Sequence, residues 1–439
     1  MTFRRGSGER ASASAHPTAA EMQFVVDAAS ALHGNGAGSD RTASRVAEVA
    51  ARLDSTARLQ LGWSESAVTL TARDGQPTVA RFARPPSGIG MNRVLGVDTA
   101  VNGFSGGRLT LAQAQAAVQK AVALPAANVF LFAAACALGA SALAVIFGVS
   151  HWQTVLLIAV SAGAGAFLRR GIARLGGSNF WQVGLAALLA GLLGAFAADL
   201  DISSALRLAS VCPCMVLVPG PHLLNGSLDL GALRIPLGLA RLTFAVLTLL
   251  SIGAGLLAGL TLGGADLVVD PISREIPLWL DALSAGVVAV CYGIFYSSPW
   301  RILAWPFVVG AAVHAVRWVA LEVWHAPAYL GAGLACLIAA AILLPISRRF
   351  QIPFSAVGFA SVVSLMPGVL IFRALAGLAE LQSQTGVAAQ RVLVDTVNNA
   401  NLAWLTIFAM AIGFIIPATI YGWIDRHRRV AAGTAAVGL

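Results

Sequence analysis

The hydrophobic pattern of the chain changes once, near residue 128. Before that point, apolar residues alternate with charged and polar ones at short spacings. After it, apolar runs reach the length of about 20 residues that a helix needs to cross a bilayer. We therefore predict a polytopic α-helical membrane protein with ten transmembrane helices. The predicted spans are 129–149, 154–174, 180–198, 204–226, 235–262, 278–297, 301–320, 327–346, 352–378 and 397–423.

The region before the first span, residues 17–128, has the pattern of a small α+β domain. Helices are predicted where apolar positions recur every three to four residues, and strands where they alternate. Asp40 is expected to cap the second helix, and Thr110 with Gln113 forms a capping-box pattern before the fourth. The helices are 20–32, 40–53, 92–102 and 110–124; the strands are 58–63, 67–72 and 78–82, with a hairpin turn at Asp74-Gly75.

Residues 1–16 contain arginines but no apolar core, so they predict a disordered tail and no cleaved signal peptide. The N-terminus is therefore expected in the cytoplasm, which makes the α+β domain cytoplasmic. Charge in the connections agrees with this orientation, because basic residues mark the cytoplasmic side. The predicted inner connections hold Arg169, Arg170, Arg174, Arg234, Arg301, Arg348, Arg349, Arg426, Arg428 and Arg429, whereas the outer ones hold Asp199, Asp201, Asp266, Asp270, Glu275, Glu322 and Glu380.

The membrane part carries one skeleton of uncommon residues twice, at an offset of 148 residues. Each half, 129–263 and 277–424, holds five predicted spans, so the second must enter the membrane from the opposite side. This predicts two inverted five-helix repeats, followed by a cytoplasmic tail at 425–439. The repeated landmarks are Pro219-Gly220 with Pro367-Gly368, Trp152 with Trp300, and Arg169 with Arg317.

Composition excludes a soluble protein, since hydrophobic residues make up 57% of the chain and charged residues 11%. The net charge of +9 does not indicate nucleic-acid binding, because the basic residues are spread over short loops. All five cysteines lie in apolar segments, where free cysteine behaves as a small hydrophobe. Cys212 and Cys214 lack further ligands at metal-binding spacing, so we expect neither a metal nor a cofactor.

The two Pro-Gly pairs are the strongest candidates for a functional site. Proline removes a backbone hydrogen bond from a helix, and glycine makes unwinding easier. In lipid, the freed backbone groups must face protein or a water-lined cavity. Each pair therefore predicts a broken span beside a substrate site, with a simple packing kink as the alternative. The predicted substrate-binding residues are Pro219, Gly220, Asn225, Ser364, Pro367, Gly368, Arg373, Asn398 and Asn399.

Ionisable residues within spans are costly and usually functional, so three of them are candidates for proton coupling: His222, Asp229 and Asp395. Two of them also have a plainer interpretation. His222 could lie at the cytoplasmic interface, and Asp395 at a solvated helix start beside Asn398 and Asn399. Arg373 could hold a substrate carboxylate or extend to the outer interface. Arg241 could extend inward, pair with Asp229 or contact the substrate.

Four segments together resemble the threonine/serine exporter family (ThrE type): 38–46 (GSDRTASRV), 103–114 (GFSGGRLTLAQA), 213–226 (PCMVLVPGPHLLNG) and 364–368 (SLMPG). The resemblance runs from about residue 20 to 424. It implies an exporter of small hydroxy amino acids in the cytoplasmic membrane, driven by the proton gradient. It also implies that the two halves correspond to separately encoded proteins in some bacteria, which are associated with dicarboxylate export.

We therefore expect a secondary active transporter and not an enzyme, with a small amino acid and the lipid bilayer as partners. Homo-oligomerisation is left open. One alternative is a dicarboxylate exporter, which would need Arg241 and Arg373 to face the cavity. Another is a membrane-anchored enzyme or sensor with its chemistry in residues 17–128, where no nucleophile–base pattern is found.

Overall fold

The fold is described from a computed structural model, in which residues 17–149, 151–199, 208–265 and 276–437 are described. The chain divides into two compact units. One contains the described residues up to Gly88 together with Arg93–Leu124. The other contains Ile89–Asn92 and the described residues from Pro125 onward.

The first unit combines four helices with a three-stranded antiparallel sheet in the order β1-β2-β3. The alternate residues Ser66, Val68 and Leu70 of the middle strand are buried, as expected for a strand with one face on the core. The elements are α1 Ala19–Gly34, α2 Ser39–Arg52, β1 Thr56–Gln60, β2 Ser66–Thr71, β3 Pro77–Phe82, α3 Met91–Ser105 and α4 Leu111–Val122.

Local chemistry sets most boundaries in this unit. The predicted capping box is confirmed, since Thr110 Oγ1 accepts from the backbone N–H of Gln113 at 3.3 Å and Gln113 Oε1 accepts from that of Thr110 at 2.9 Å. The predicted hairpin turn is also present, with Gly75 at φ +82°. The predicted cap of α2 is wrong. Gly38 is the N-cap residue, and Asp40 lies inside the first turn, where a negative charge still favours the helix dipole.

The core of the first unit holds one buried ion network. Asp98 on α3 accepts hydrogen bonds from Arg41 at 2.7 Å and from Arg45 at 2.9 Å, both on α2. Because a buried carboxylate is tolerated only when it is paired, this network ties α2 to α3.

The second unit is helical. Among the described residues, eight helices are long and apolar enough to cross a membrane, and two further pairs of short helices would each form one bent span, which gives up to ten. The helices are α5 Val129–Ile146, α6 Trp152–Arg174, α7 Asn179–Asp199, α8 Leu208–Met215, α9 Gly220–Gly231, α10 Ile235–Leu262, α11 Leu278–Phe295, α12 Ala304–Glu322, α13 Ala328–Arg349, α14 Phe354–Val362, α15 Gly368–Glu380 and α16 Gly386–Val437.

Helices of the two halves match at the 148-residue offset. Helix α6 begins at Trp152, and a 3₁₀ turn leading into α12 begins at Trp300. Helix α9 begins at Gly220, and α15 begins at Gly368. The bent pairs are α8 with α9 and α14 with α15, and they bend by 55° and 56°. The two halves therefore repeat one succession of helices.

Two helix pairs approach closely through glycine. In the first half, a Cβ on Gly191 of α7 would lie 3.0 Å from Cα of Gly259 on α10. In the second half, a Cβ on Gly413 of α16 would lie 2.9 Å from Cβ of Cys336 on α13. Small residues let membrane helices pack backbone to backbone, so these pairs are tightly joined.

The last span differs from its prediction. Helix α16 begins at Gly386, eleven residues before the predicted start at residue 397, so Asn398 and Asn399 lie inside a helix and not at its start. A Cβ on Gly377 of α15 would overlap the side chain of Thr396, which shows how closely α15 packs on this part of α16. The predicted connection at Asp266, Asp270 and Glu275 lies outside the described residues, as does Asp201.

Candidate functional site at the two helix breaks

Both predicted breaks are present, and both have the same backbone conformation. The N–H of Gly220 donates to the carbonyl oxygen of Val218 at 2.9 Å, around Pro219 at φ −81°, ψ 58°. The N–H of Gly368 donates to Met366 at 2.8 Å, around Pro367 at φ −79°, ψ 46°. Each is an inverse γ-turn centred on proline. Because helices on either side diverge by more than 50°, the segments are broken rather than kinked.

The breaks of the two halves contact each other reciprocally. A Cβ on Gly220 would overlap the ring of Phe359, which lies on α14 before the second break. A Cβ on Gly368 would lie 3.0 Å from Cγ of Met215, the last residue of α8 before the first break. Each glycine thus packs against the half-helix that precedes the other break. At Gly220 only glycine leaves room for this contact, whereas at Gly368 the flexible Met215 side chain would have to shift slightly.

Tyr292 of α11 joins the second half to the first break. Its hydroxyl donates to the carbonyl oxygen of Met215 at 2.6 Å, and the tyrosine is almost fully buried. Its ring also lies 6.1 Å from that of Phe359. A backbone acceptor at a break needs a partner in an apolar environment, and Tyr292 supplies it. Sequence reasoning missed this residue, although a tyrosine within a span was a signal, since a buried hydroxyl usually finds a partner.

A cavity lies beside the first break. The free space in it is about 10 Å³, room for about one water molecule, and its walls come from α5, α6, α7 and α8, with Val216 and Leu217 of the break itself. Most of the lining is apolar, but Ser161 of α6 is also part of the wall, and its buried hydroxyl makes no hydrogen bond within the described part of the chain. In this conformation the space suits a water molecule, and an amino acid would need the walls to move apart.

Arg169 lies on the same face of α6 as the cavity residues Ala162, Gly165 and Ala166. Its guanidinium carbon is 5.0 Å from the ring centre of Phe295, a cation–π distance. Its Nε and Nη1 atoms make no hydrogen bond with any residue that the structure describes. A guanidinium with unused donors can bind a carboxylate in two-point fashion. In the sequence, Arg169 stood out as a repeated landmark and as a predicted cytoplasmic charge, and not as a candidate ligand.

The second break has a titratable pair in its vicinity. His314 of α12 and Asp281 of α11 are 0% and 4% exposed, and Nδ1 of the histidine is 2.6 Å from Oδ2 of the aspartate. The backbone of Ser364, at the break, also lies close to the imidazole. Sequence reasoning missed both members of the pair, even though an ionisable residue inside a span was by itself a sufficient signal.

In the last turn of α9, at the end away from the first break, Asp229 is buried and pairs with two arginines. Its Oδ2 is 3.0 Å from Nη1 of Arg241, which is 1% exposed, and its Oδ1 is 3.3 Å from Nη1 of Arg234. Of the three interpretations of Arg241, the structure therefore favours pairing with Asp229. His222 and Asn225 are buried on the same helix, and the His222 ring is 4.7 Å from that of Phe244.

The predicted site residues fall into two groups. Buried at or next to the breaks are Pro219, Gly220, His222, Asn225, Ser364, Pro367 and Gly368. Farther along α15, Arg373 is half-buried. Asp395 and Asn398 are exposed, and Asn399 is half-buried with its Nδ2 donating to the carbonyl oxygen of Asp395 at 2.8 Å. The face of α16 turned into the protein instead carries Thr396, so Asp395 and Asn398 are not part of the same buried region.

The described residues contain no group of three or more His, Cys, Asp or Glu side chains arranged to hold a metal ion. Cys212 and Cys214 are buried free thiols on α8.

Two family models match consecutive parts of the chain. The model described as "Putative threonine/serine exporter" matches residues 23–263, and the one described as "Threonine/Serine exporter, ThrE" matches residues 281–420. The boundary between them falls between α10 and α11, where the two halves of the membrane part meet. No curated protein and no solved structure matches the chain. The matches cover most of the sequence, and the chain therefore belongs to the threonine/serine exporter family, a family of amino-acid exporters.

Proposed function

We propose that the protein is a secondary active transporter that exports threonine, serine and amino acids of similar size, driven by the proton gradient. Its two halves, 129–263 and 277–424, would be inverted repeats in the cytoplasmic membrane, with the first domain and both termini in the cytoplasm. The charge distribution of the predicted connections supports this orientation. So do Trp152 and Trp300, which are 69% and 67% exposed at matched helix starts, as expected for interfacial anchors.

The reciprocal packing of the two breaks is the observation that carries the proposal. Inverted repeats with broken helices place a substrate site where the breaks meet, and alternating access moves one repeat against the other. Here Gly220 and Gly368 each pack on the opposite half, so a change of backbone conformation at one break alters the packing at the other. A contact of this kind has little use in a simple membrane anchor.

The proposed site binds the three polar parts of the substrate separately. The N-termini of α9 and α15, at Gly220 and Gly368, carry positive partial charge and suit a carboxylate, as does the guanidinium of Arg169. Carbonyl oxygens of the two unwound segments suit an ammonium group. The hydroxyls of Ser161 and Ser364 and the amide of Asn225 suit the substrate hydroxyl. Asn398 and Asn399 are not part of this site in the conformation described.

The dicarboxylate alternative has less support. It needs extra positive charge in the cavity, but Arg241 is already paired with Asp229. The enzyme or sensor alternative places chemistry in the first unit, where the buried Asp98 is committed to Arg41 and Arg45.

The test is counterflow of labelled threonine into proteoliposomes that contain the full chain. Gly220→Ala should slow counterflow strongly, because the new methyl group would overlap the ring of Phe359, and Gly368→Ala should slow it less, because the Met215 side chain can shift to make room. Gly422→Ala is the matched control, since a Cβ at Gly422 of α16 meets no atom within 4 Å. Unlabelled serine should compete with threonine, and succinate should not. If succinate competes and serine does not, the dicarboxylate alternative is correct. If both glycine variants show wild-type counterflow, the breaks are not part of the substrate site.

A further inference from the structure

Apolar residues at the cavity beside the first break correspond to polar residues beside the second break. At the 148-residue offset, the cavity residue Ala166 corresponds to His314, and the break residue Val216 corresponds to Ser364. The position that is a small methyl group in one half is therefore an imidazole in the other. The two halves share a backbone plan but have different chemistry at equivalent places.

The imidazole is held against the second break by close packing. Gly310 lies one turn before His314 on α12, and a Cβ there would come within 3.3 Å of the carbonyl oxygen of Ser361 on α14. Asp281 holds Nδ1 of the ring from the other side. The Nε2 atom makes no hydrogen bond of ordinary geometry to any described residue, and the Ser364 backbone lies close to the ring.

The charged surroundings of the ring are few. Helix α12 packs against α11, α13, α14 and the 3₁₀ turn at Trp300–Ile302. Of these, α11 contributes Asp281 and α14 contributes no titratable residue. On α12 itself, Arg317 interacts with His314 and with Asp281, and Glu322 interacts with Arg317. The described interactions of the ring include no titratable group from α13 or from the 3₁₀ turn.

We propose that His314, held by Asp281, is the site that takes up and releases the coupling proton. The proposal rests on the proposed function and names the proton site within it. A proton from water forms the N–H bond at Nε2, and the resulting imidazolium is stabilised by the Asp281 carboxylate. The N–H bond later breaks, and the proton returns to water on the other side of the membrane. One positive charge crosses for each cycle, and no other bond changes.

Protonation affects the second break through charge. In the unprotonated state, the charges of Asp281 and Arg317 balance each other. Protonated His314 adds a positive charge and a second N–H donor beside the backbone of Ser364, close to the N-terminus of α15. This change in charge alters the position that α12 prefers relative to the break. Since Gly368 packs on Met215, this movement reaches the first half.

In the proposed orientation, the location of the pair suits an exporter. Asp281 lies in the first turn of α11, at its outer end, and His314 is eight residues before the outer end of α12. The cavity residue Ala166 is eight residues before the inner end of α6. The proton would therefore enter from outside at the second break, and the amino acid from the cytoplasm at the first.

The experiment measures two activities of the full chain in proteoliposomes. One is threonine counterflow without a pH gradient, and the other is threonine-dependent proton movement, followed with a trapped pH-sensitive dye. In His314→Gln and Asp281→Asn, counterflow should persist while proton movement per threonine falls by about tenfold or more. His325→Gln is the matched control, because His325 is exposed after α12. It should behave as wild type in both assays.

Other outcomes of these two assays separate the proton site from the alternatives. Coupled proton movement that persists in His314→Gln would overturn it. If His222→Gln loses proton movement while His314→Gln keeps it, the role belongs to His222. If His314→Gln does not fold, Asp281→Asn decides alone, because it keeps the imidazole and removes only the carboxylate charge. Absence of threonine counterflow in the wild type would instead refute the proposed function itself.

Discussion

Gly220 of the first half lies directly against the aromatic ring of Phe359 in the second half, with no room for a Cβ between them. The ring is 1% exposed, so it cannot turn away into lipid or water. This contact joins the start of α9 to the half-helix before the second break. Of the two reciprocal contacts between the breaks, this one leaves less room for an added methyl group.

The first prediction concerns rescue at this contact. Gly220→Ala should destabilise the fold by about 1–3 kcal/mol, because an extra methyl group overpacks the interface. Adding Phe359→Leu should restore part of the stability and of threonine counterflow, since the smaller side chain makes room. Thermal unfolding in detergent and counterflow would both be measured. If Phe359→Leu worsens the effect of Gly220→Ala additively, the two residues are not in contact.

The second prediction concerns the hydroxyl of Tyr292. Tyr292→Phe should cost about 1 kcal/mol of stability, because the carbonyl oxygen of Met215 loses a buried hydrogen bond. Tyr329→Phe, on α13, is the control and should change the melting temperature little. Both variants would be compared by thermal unfolding in detergent. Equal melting temperatures for Tyr292→Phe and the wild type would contradict a role for this hydroxyl at the first break.

The third prediction concerns Arg169 as the proposed carboxylate ligand. Arg169→Gln should weaken threonine binding by about 1.5–3 kcal/mol, which is the range for a hydrogen bond to a charged group. Arg169→Lys should be intermediate, because an ammonium keeps the charge but not the two-point geometry. Binding would be followed by the concentration of threonine needed for half-maximal counterflow. Arg174→Gln, exposed farther along α6, is the control. An unchanged half-maximal concentration in Arg169→Gln would remove this residue from the site.

The fourth prediction concerns the buried pair of Asp229 and Arg241. Asp229→Ala should destabilise the protein by about 3–5 kcal/mol, because it leaves a buried guanidinium without its main counter-charge. The double variant Asp229→Ala with Arg241→Met should recover much of this loss, since it buries no unpaired charge. Equilibrium unfolding would measure both. If the double variant retains threonine-dependent proton movement, Asp229 is structural; if that movement disappears while counterflow remains, Asp229 belongs to the proton path.

Local signals predicted much of the architecture. Long apolar runs predicted α5 and α10 as membrane spans, because a span needs little more than length and hydropathy. Pro219 and Pro367, each followed by glycine, predicted the breaks correctly, whereas Pro345 and Pro417 lie inside continuous helices. Thr110 and Gln113 likewise predicted the start of α4. The wrong cap also has a local cause: Asp40 has the right chemistry for a cap, but the N-cap position lies two residues earlier, at Gly38.

The sequence by itself therefore predicted the order of the apolar helices, the two breaks and the family. The tertiary structure decided which residues meet. The contact of Gly220 with Phe359, the cavity beside Ser161 and the pairing of His314 with Asp281 all join residues far apart in the chain. The sequence pattern carries no signal for such contacts, because any apolar face can turn toward lipid or protein. Only the packing of one half against the other selects the inward face, and Asp395 and Asn398 lie on the opposite one.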